Sequence, residues 1–263
     1  MGADSVLLTF RGGKPVKPLY TPETKKLIFF DMNHTLIDER KTLEHCFATA
    51  LQEFTARWEA DGGKLDARKI YRTYQEEWRS KPTAKTAQQI AARRHLALSR
   101  ALEPVPLAVT EAFSRSFFAK IKEFKPAQPQ LYRDVDATLR KLADRYKLAI
   151  ISNGSPERLD TQLRLTGLDE LIPKPLRFAA AKGEPRKPNP AMFQRALQKS
   201  GVSPMDAVMV GNSWRNDIFG ATRSGLDAIW FHPSHSQKWT QKRIGKEQIT
   251  VIRKIRELQG IFG

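Results

Sequence analysis

Cysteine is nearly absent from this chain: Cys46 stands alone in 263 residues. One cysteine excludes an internal disulfide and any zinc site built from several thiolates. No apolar run approaches the about 20 residues needed to span a bilayer, so no membrane-crossing helix is expected. Leu7 and Leu8 are not part of a long apolar segment leading to a small-residue cleavage site, so secretion is not expected either. A soluble, cytoplasmic protein is the expectation. Negative charge is also scarce, with 28 acidic against 45 basic residues and a formal net charge of +17. Such an excess suits an anionic substrate, a nucleic acid or simply a basic surface. The basic residues are dispersed without any block of like charge, which favours a solvated surface and makes nucleic acid the less favoured partner.

With 40% hydrophobic residues, the chain has enough apolar material for a sizeable core. The stretch Leu27-Ile28-Phe29-Phe30-Asp31-Met32-Asn33-His34-Thr35 organises the reading. Four consecutive apolar residues read as a strand buried on both faces, as in parallel sheets covered by helices. The run stops at Asp31, and the carboxyl end of such a strand is where open α/β sheets bind ligands. Asn33 and Thr35 alternate with Asp31 and can line one side of the turning chain. A carboxylate nucleophile or a metal site would use that arrangement, and an ordinary polar strand end would look the same.

Residues 1–25 read as a basic lead-in, with turn residues and two prolines in Arg11-Gly12-Gly13-Lys14-Pro15-Val16-Lys17-Pro18. From residue 39 to 124 the pattern is helical. Leu43, Phe47, Ala50, Leu51, Phe54 and Trp58 recur at helical spacing, and Asp61-Gly62-Gly63 should stop that helix. Ile70, Tyr71, Tyr74 and Trp78 predict a second helix, ended near Lys81-Pro82; residues 90–102 and 113–124 predict two more. The α/β pattern then returns. Residues 147–151 and 207–210 read as buried strands ending at Ser152-Asn153-Gly154 and Gly211-Asn212-Ser213, and 228–231 as another strand. Helices are expected over 135–146, 159–168, 191–200 and 249–258. A Lys-, Gly- and Pro-rich loop carries Lys187, and Asn216 and Asp217 should open the helix after residue 213. This alternation implies right-handed crossovers and a parallel sheet. The expected fold is α/β, a Rossmann-like doubly wound parallel sheet (residues 26–38 and 125–263) with an inserted all-α cap (39–124).

Polar groups closing successive strands, with one lysine between them, resemble the motifs of the haloacid dehalogenase-like (HAD) superfamily. Asp31-Met32-Asn33-His34-Thr35 is similar to its first motif, Ser152 in Ile150-Ile151-Ser152-Asn153-Gly154 to its second, Lys187-Pro188 to its third, and Gly211-Asn212-Ser213 with Asn216-Asp217 to its fourth. The likeness runs from about residue 26 to the C-terminus, with 39–124 in the place of a cap. It implies a hydrolase in which Asp31 attacks a phosphoryl group to give an aspartyl-phosphate. It further implies that Ser152 and Lys187 assist at the phosphoryl oxygens, and that Thr35, Asn153 and Gly154 bind substrate or phosphate beside them. A Mg2+ ion would be held by Asp31, the Asn33 carbonyl, Asn212 and Asp217. The partner implied is a small phosphorylated or otherwise anionic substrate; the oligomeric state is not implied.

Two residues depart from the family's pattern. Asn33 stands where most of its phosphatases have a general acid/base Asp, and Asn212 where they have a metal-binding carboxylate. Loss of acid–base assistance costs typically about 10²–10⁴ in rate, and a neutral Asn212 should hold magnesium less firmly. His34 is titratable near neutrality, but strand alternation points it away from Asp31. Two alternatives stay open beside the phosphatase. One is a dehalogenase-type hydrolase acting at carbon, whose halide leaves without a proton. The other is a binding protein whose catalytic site has decayed, although the retained Asp31, Ser152, Lys187 and Asp217 count against it.

Overall fold

The computed structural model describes residues 19–60, 65–80, 86–235 and 240–262. Most of the basic lead-in, the stop at Asp61-Gly62-Gly63 and the one at Lys81-Pro82 therefore lie outside the described residues. The chain divides into two compact units, one of residues 39–130 and the other formed by the chain on either side of it.

Strand β1 (Leu27–Phe30) is buried at all four positions. The unit that interrupts the chain after it is helical: α1 (Glu39–Ala60), α2 (Ala67–Ser80), α3 (Ala87–Ala101) and α4 (Glu111–Phe124). Its core gathers Phe47, Leu51, Ile70, Tyr71, Tyr74, Leu98, Phe117 and Ile121. The Phe47 ring lies 5.0–5.3 Å from those of Tyr71, Tyr74 and Phe117, distances at which aromatic pairs add to the burial energy. The aromatic spacing on α1 and α2 is thus used for packing. Thr86 caps α3 through a reciprocal bond pair with Gln89, satisfying two otherwise orphaned helix-end donors.

The remaining elements are α5 (Val135–Ala143), β2 (Lys147–Ser152), α6 (Pro156–Thr166), β3 (Arg177–Ala179), α7 (Pro190–Ser200), β4 (Ala207–Gly211), a π-helical turn over Trp214–Phe219, β5 (Asp227–Phe231), β6 (Thr240–Ile244) and β7 (Glu247–Ile252). Among the described residues the strands make one seven-stranded sheet in the order β3-β2-β1-β4-β5-β7-β6. All pairings are parallel except β6 with β7. Alternate residues of β1 serve opposite faces. Ile28 and Phe30 pack with Leu139, Leu142, Leu159 and Leu163 from α5 and α6, and Leu27 and Phe29 pack with Met192, Phe193 and Ala196 from α7. Each such side chain contributes about 1.5–3 kcal/mol of burial energy.

Two expectations need correction. The segment expected as a helix over 249–258 begins as β7, and only Leu258–Ile261 is α-helical. Ile249, Thr250, Val251 and Ile252 are all β-branched and fit a pleated, buried strand better than a helix. Ile249 pairs with Ala228 of β5 on one side and Lys242 of β6 on the other. Strands β3 and β6 were not expected at all, because three residues in one case and a polar hairpin arm in the other carry no apolar run.

The chain leaves β1 for β2 on one side and reaches β4 on the other, so the strand order reverses beside β1. Ligand crevices of open α/β sheets form at the carboxyl ends of strands at such a point. Asp31 follows the end of β1 there, Ser152 ends β2, and Asn212 follows β4.

Candidate active site

Asp31 is anchored through its main chain, its N–H donating to Val210 O at 2.9 Å. The turn that follows closes on itself, with Leu36 N–H and Ile37 N–H both donating to Met32 O. That closure returns Thr35 to Asp31, and the Thr35 hydroxyl donates to Asp31 Oδ2 at 3.1 Å. The same hydroxyl lies 3.3 Å from Asn212 Oδ1, so the ends of β1 and β4 meet there. Thr35 is fully buried. Its hydroxyl holds Asp31 in place.

The other oxygen of Asp31 is occupied by Lys187. The Lys187 ammonium donates to Asp31 Oδ1 at 2.7 Å and to Asp217 Oδ1 at 2.6 Å, with its side chain 1% exposed. Burial alone would lower the Lys187 pKa, but the carboxylates of Asp217 and Asp31 more than offset it and raise it above the ordinary value. Lys187 is therefore a permanent cation. Burial likewise lifts Asp217 to about 6, against the opposing pull of Lys187.

Asn153 fixes the lysine's backbone. Its amide donates to Lys187 O at 3.0 Å and accepts from Lys187 N–H at 2.8 Å. Gly154 N–H donates to Ser152 Oγ at 3.1 Å, which orients that buried hydroxyl and leaves its own proton as a donor. Asn153 and Gly154 thus position Lys187 and Ser152.

Asp217 reaches the cluster from the π-helical turn. Ser213 caps that turn, its hydroxyl accepting from Asn216 N–H at 3.1 Å, while Ser213 N–H donates to Asp217 Oδ2 at 2.9 Å. The carboxylate folds back over Gly211, where a Cβ would overlap it. Both Asp217 oxygens are engaged, one by a cation and one by a backbone donor. Asp217 thereby places the Lys187 ammonium.

The groups that could hold a metal are oxygens: the Asp31 and Asp217 carboxylates, both bonded to Lys187, the Asn212 amide oxygen, which meets Asp31 at one hydroxyl, and the Asn33 main chain. No group of three or more His, Cys, Asp or Glu that could hold a metal occurs among the described residues. An all-oxygen set of carboxylates, an amide oxygen and a main-chain carbonyl suits magnesium, which keeps several waters and shares substrate oxygens, and does not suit zinc.

Asn33 turns towards α6. Its Oδ1 accepts from Gln162 Nε2 at 2.9 Å and lies 3.4 Å from Arg158 Nη2. Neither partner was foreseen, although Arg158 and Gln162 sit one helical turn apart just after the Ser152-Asn153-Gly154 segment. His34 is exposed, with φ of 61°, as a residue that turns the chain. Trp230 Nε1 donates to Asn212 O at 2.9 Å and edges onto the exposed Trp214 at 5.0 Å; these contacts too were not foreseen.

A buried acid–lysine–acid cluster thus sits at the switch point of a mostly parallel α/β sheet. Residues 25–225 match the family of haloacid dehalogenase-like hydrolases, and the chain belongs to that family. It is 27% identical over 206 residues to a glyceraldehyde 3-phosphate phosphatase of Pyrococcus abyssi, covering 78% of this chain and 81% of that one. A (S)-2-haloacid dehalogenase 4A of Burkholderia cepacia is 34% identical over 100 residues, 37% of this chain and 42% of that one. The solved 2-haloacid dehalogenase of Pseudomonas syringae pv. Tomato DC3000 is 26% identical, with a TM-score of 0.51 over 90% of this chain and 97% of that one. No described helix is long and apolar enough to cross a membrane.

Proposed function

We propose that the protein is a phosphatase acting on a small phosphorylated compound, with Asp31 as nucleophile. The observation that carries this reading is the Lys187 ammonium held between Asp31 and Asp217 at 2.7 and 2.6 Å. A buried cation paired with Asp31 stabilises negative charge arriving on a phosphoryl oxygen. Likeness to the glyceraldehyde 3-phosphate phosphatase over most of both chains supports the same substrate class.

In this reading one Asp31 oxygen bonds to phosphorus while the bond to the leaving oxygen breaks, its electron pair departing with that oxygen. Ser152 donates a hydrogen bond to the transferred group. Water then attacks the phosphorus of the aspartyl-phosphate, releasing phosphate and regenerating the Asp31 carboxylate. Asp31, Asn212, Asp217 and the Asn33 carbonyl would hold Mg2+, which when bound neutralises phosphoryl charge. The helical unit, residues 39–130, is read as the cap that selects the substrate.

Asn33 favours one second reading. A side chain that transfers no proton is sufficient where a halide leaves, so attack of Asp31 on carbon is the competitor, and likeness to the dehalogenases accompanies it. Incubation with p-nitrophenyl phosphate and with 2-chloropropionate, each with and without magnesium, separates the two. Phosphate release that needs Asp31 is expected; chloride release without phosphate release would overturn the phosphatase.

A further inference from the structure

We infer that Asn33 is fixed by Gln162 and Arg158 as a hydrogen-bond donor to the leaving group. The site therefore takes phosphoryl compounds whose leaving group departs as an anion, namely acyl phosphates and phosphoric anhydrides, in preference to alkyl esters. This rests on the phosphatase reading and narrows its substrate class.

The orientation of the Asn33 amide follows from its neighbours. A guanidinium has donors and no acceptor, so the Asn33 atom that faces Arg158 Nη2 at 3.4 Å is the oxygen. Gln162 Nε2, at 2.9 Å, donates to the same oxygen. Gln162 is 6% exposed, and an amide that deep in the fold keeps its partner because losing it leaves a buried donor unsatisfied. With Oδ1 turned to α6, the Asn33 amide nitrogen meets no partner among the described residues. Asn33 itself is only partly buried, and its Cα is at most about 7 Å from that of Asp31, two residues back.

The free nitrogen is therefore a donor, without acidity, on a residue two places from the carboxylate that attacks. It can stabilise an oxygen that becomes negative, but it cannot deliver a proton to it. An alkoxide needs the proton; a carboxylate or a phosphate leaving group does not. No proton moves when Asp31 displaces such a group. In the second half-reaction water supplies both protons, and the product leaves as dihydrogen phosphate. Gln162 and Arg158 act here as positioning residues, through Asn33.

The test uses the full chain with magnesium and compares acetyl phosphate, p-nitrophenyl phosphate and glycerol 3-phosphate. We expect kcat/KM to fall by roughly a hundredfold or more from the first to the last, the scale of missing general-acid assistance. Gln162→Met keeps the volume but loses the donor. It should slow acetyl phosphate several-fold and have no further effect in an Asn33→Ala background, because both changes remove one donor. Equal rates on acetyl phosphate and glycerol 3-phosphate would overturn the inference and leave the phosphatase intact. So would a Gln162→Met effect that adds to that of Asn33→Ala, which is the result for a role in packing α6 alone. Failure of every phosphoryl compound to turn over would overturn the phosphatase reading and this one with it. An arm independent of turnover is the Asn33 side-chain amide NMR signal, identified by its loss in Asn33→Asp. It should shift on adding inorganic phosphate; phosphate binding with an unmoved signal would overturn the inference.

Discussion

Gly211→Ala probes the cluster through a residue with no chemistry of its own. Gly211 ends β4, which is buried along its whole length, and Asp217 folds over it. A Cβ built there would overlap Asp217 Cβ, Cγ and Oδ2, far inside the about 3.5–4 Å at which carbon atoms rest. The strand cannot retreat, because Gly211 pairs with Trp230 and Val210 with Phe30 and Ile229. Asp217 must therefore move, losing its bonds from Ser213 N–H and Lys187. Overpacking of this kind costs about 1–3 kcal/mol, which lowers the melting temperature by roughly 5 °C for a domain of this size. Displacing Lys187 by about 1 Å costs on the order of 10²-fold in rate. Differential scanning fluorimetry and initial rates on p-nitrophenyl phosphate measure both. Gly154→Ala is the stability control, since its Cβ would meet nothing nearer than Ser152 Oγ at 3.4 Å, and it should melt with the wild type. If Gly211→Ala melts and turns over like the wild type, Asp217 is not packed on β4, and the described placement of Lys187 is wrong.

Three other outcomes follow from the same geometry. Burial raises Asp217 to about 6, so the folded protein holds that proton more tightly than the unfolded chain. The associated stability is present below the unfolded value near 4 and is lost as pH rises through about 6. Activity runs the other way: the rate should fall as pH drops through about 6, when Asp217 releases Lys187, and Asp217→Asn should remove that limb of the profile. Asn212→Asp adds a second charged oxygen beside Asp31 and should tighten magnesium binding in titration calorimetry; unchanged affinity would remove Asn212 from the metal site. If the +17 charge is a solvated surface, RNA affinity should be weak, indifferent to sequence and steeply salt-dependent, whereas tight selective binding at physiological salt would refute that view.

The parallel sheet was legible wherever a strand was buried on both faces, as in Leu27–Phe30 and Ala207–Gly211, because no helix or exposed strand has a short, unbroken apolar run. Strand β7 was misread because Val251, Ile255 and Leu258 also satisfy a helical spacing; the β-branched run should have taken precedence over period. Polar strand ends revealed which residues gather, but not what each touches. The bonds from Asn153 to the Lys187 backbone and from Thr35 to Asp31 could not be read from spacing. Gln162 was invisible because a glutamine on a helix face has no pattern of its own; its part comes entirely from the turn of Asn33 towards α6.

Trapping the covalent intermediate tests the central claim most directly. Rapid acid quench of the enzyme turning over acetyl phosphate, followed by peptide mass spectrometry, should find a single phosphoryl group on Asp31. That group should be absent from Asp31→Asn and should form within the dead time of a burst of acetate release. Steady phosphate release with no phosphorylated peptide, or with the label on any residue other than Asp31, would contradict the account.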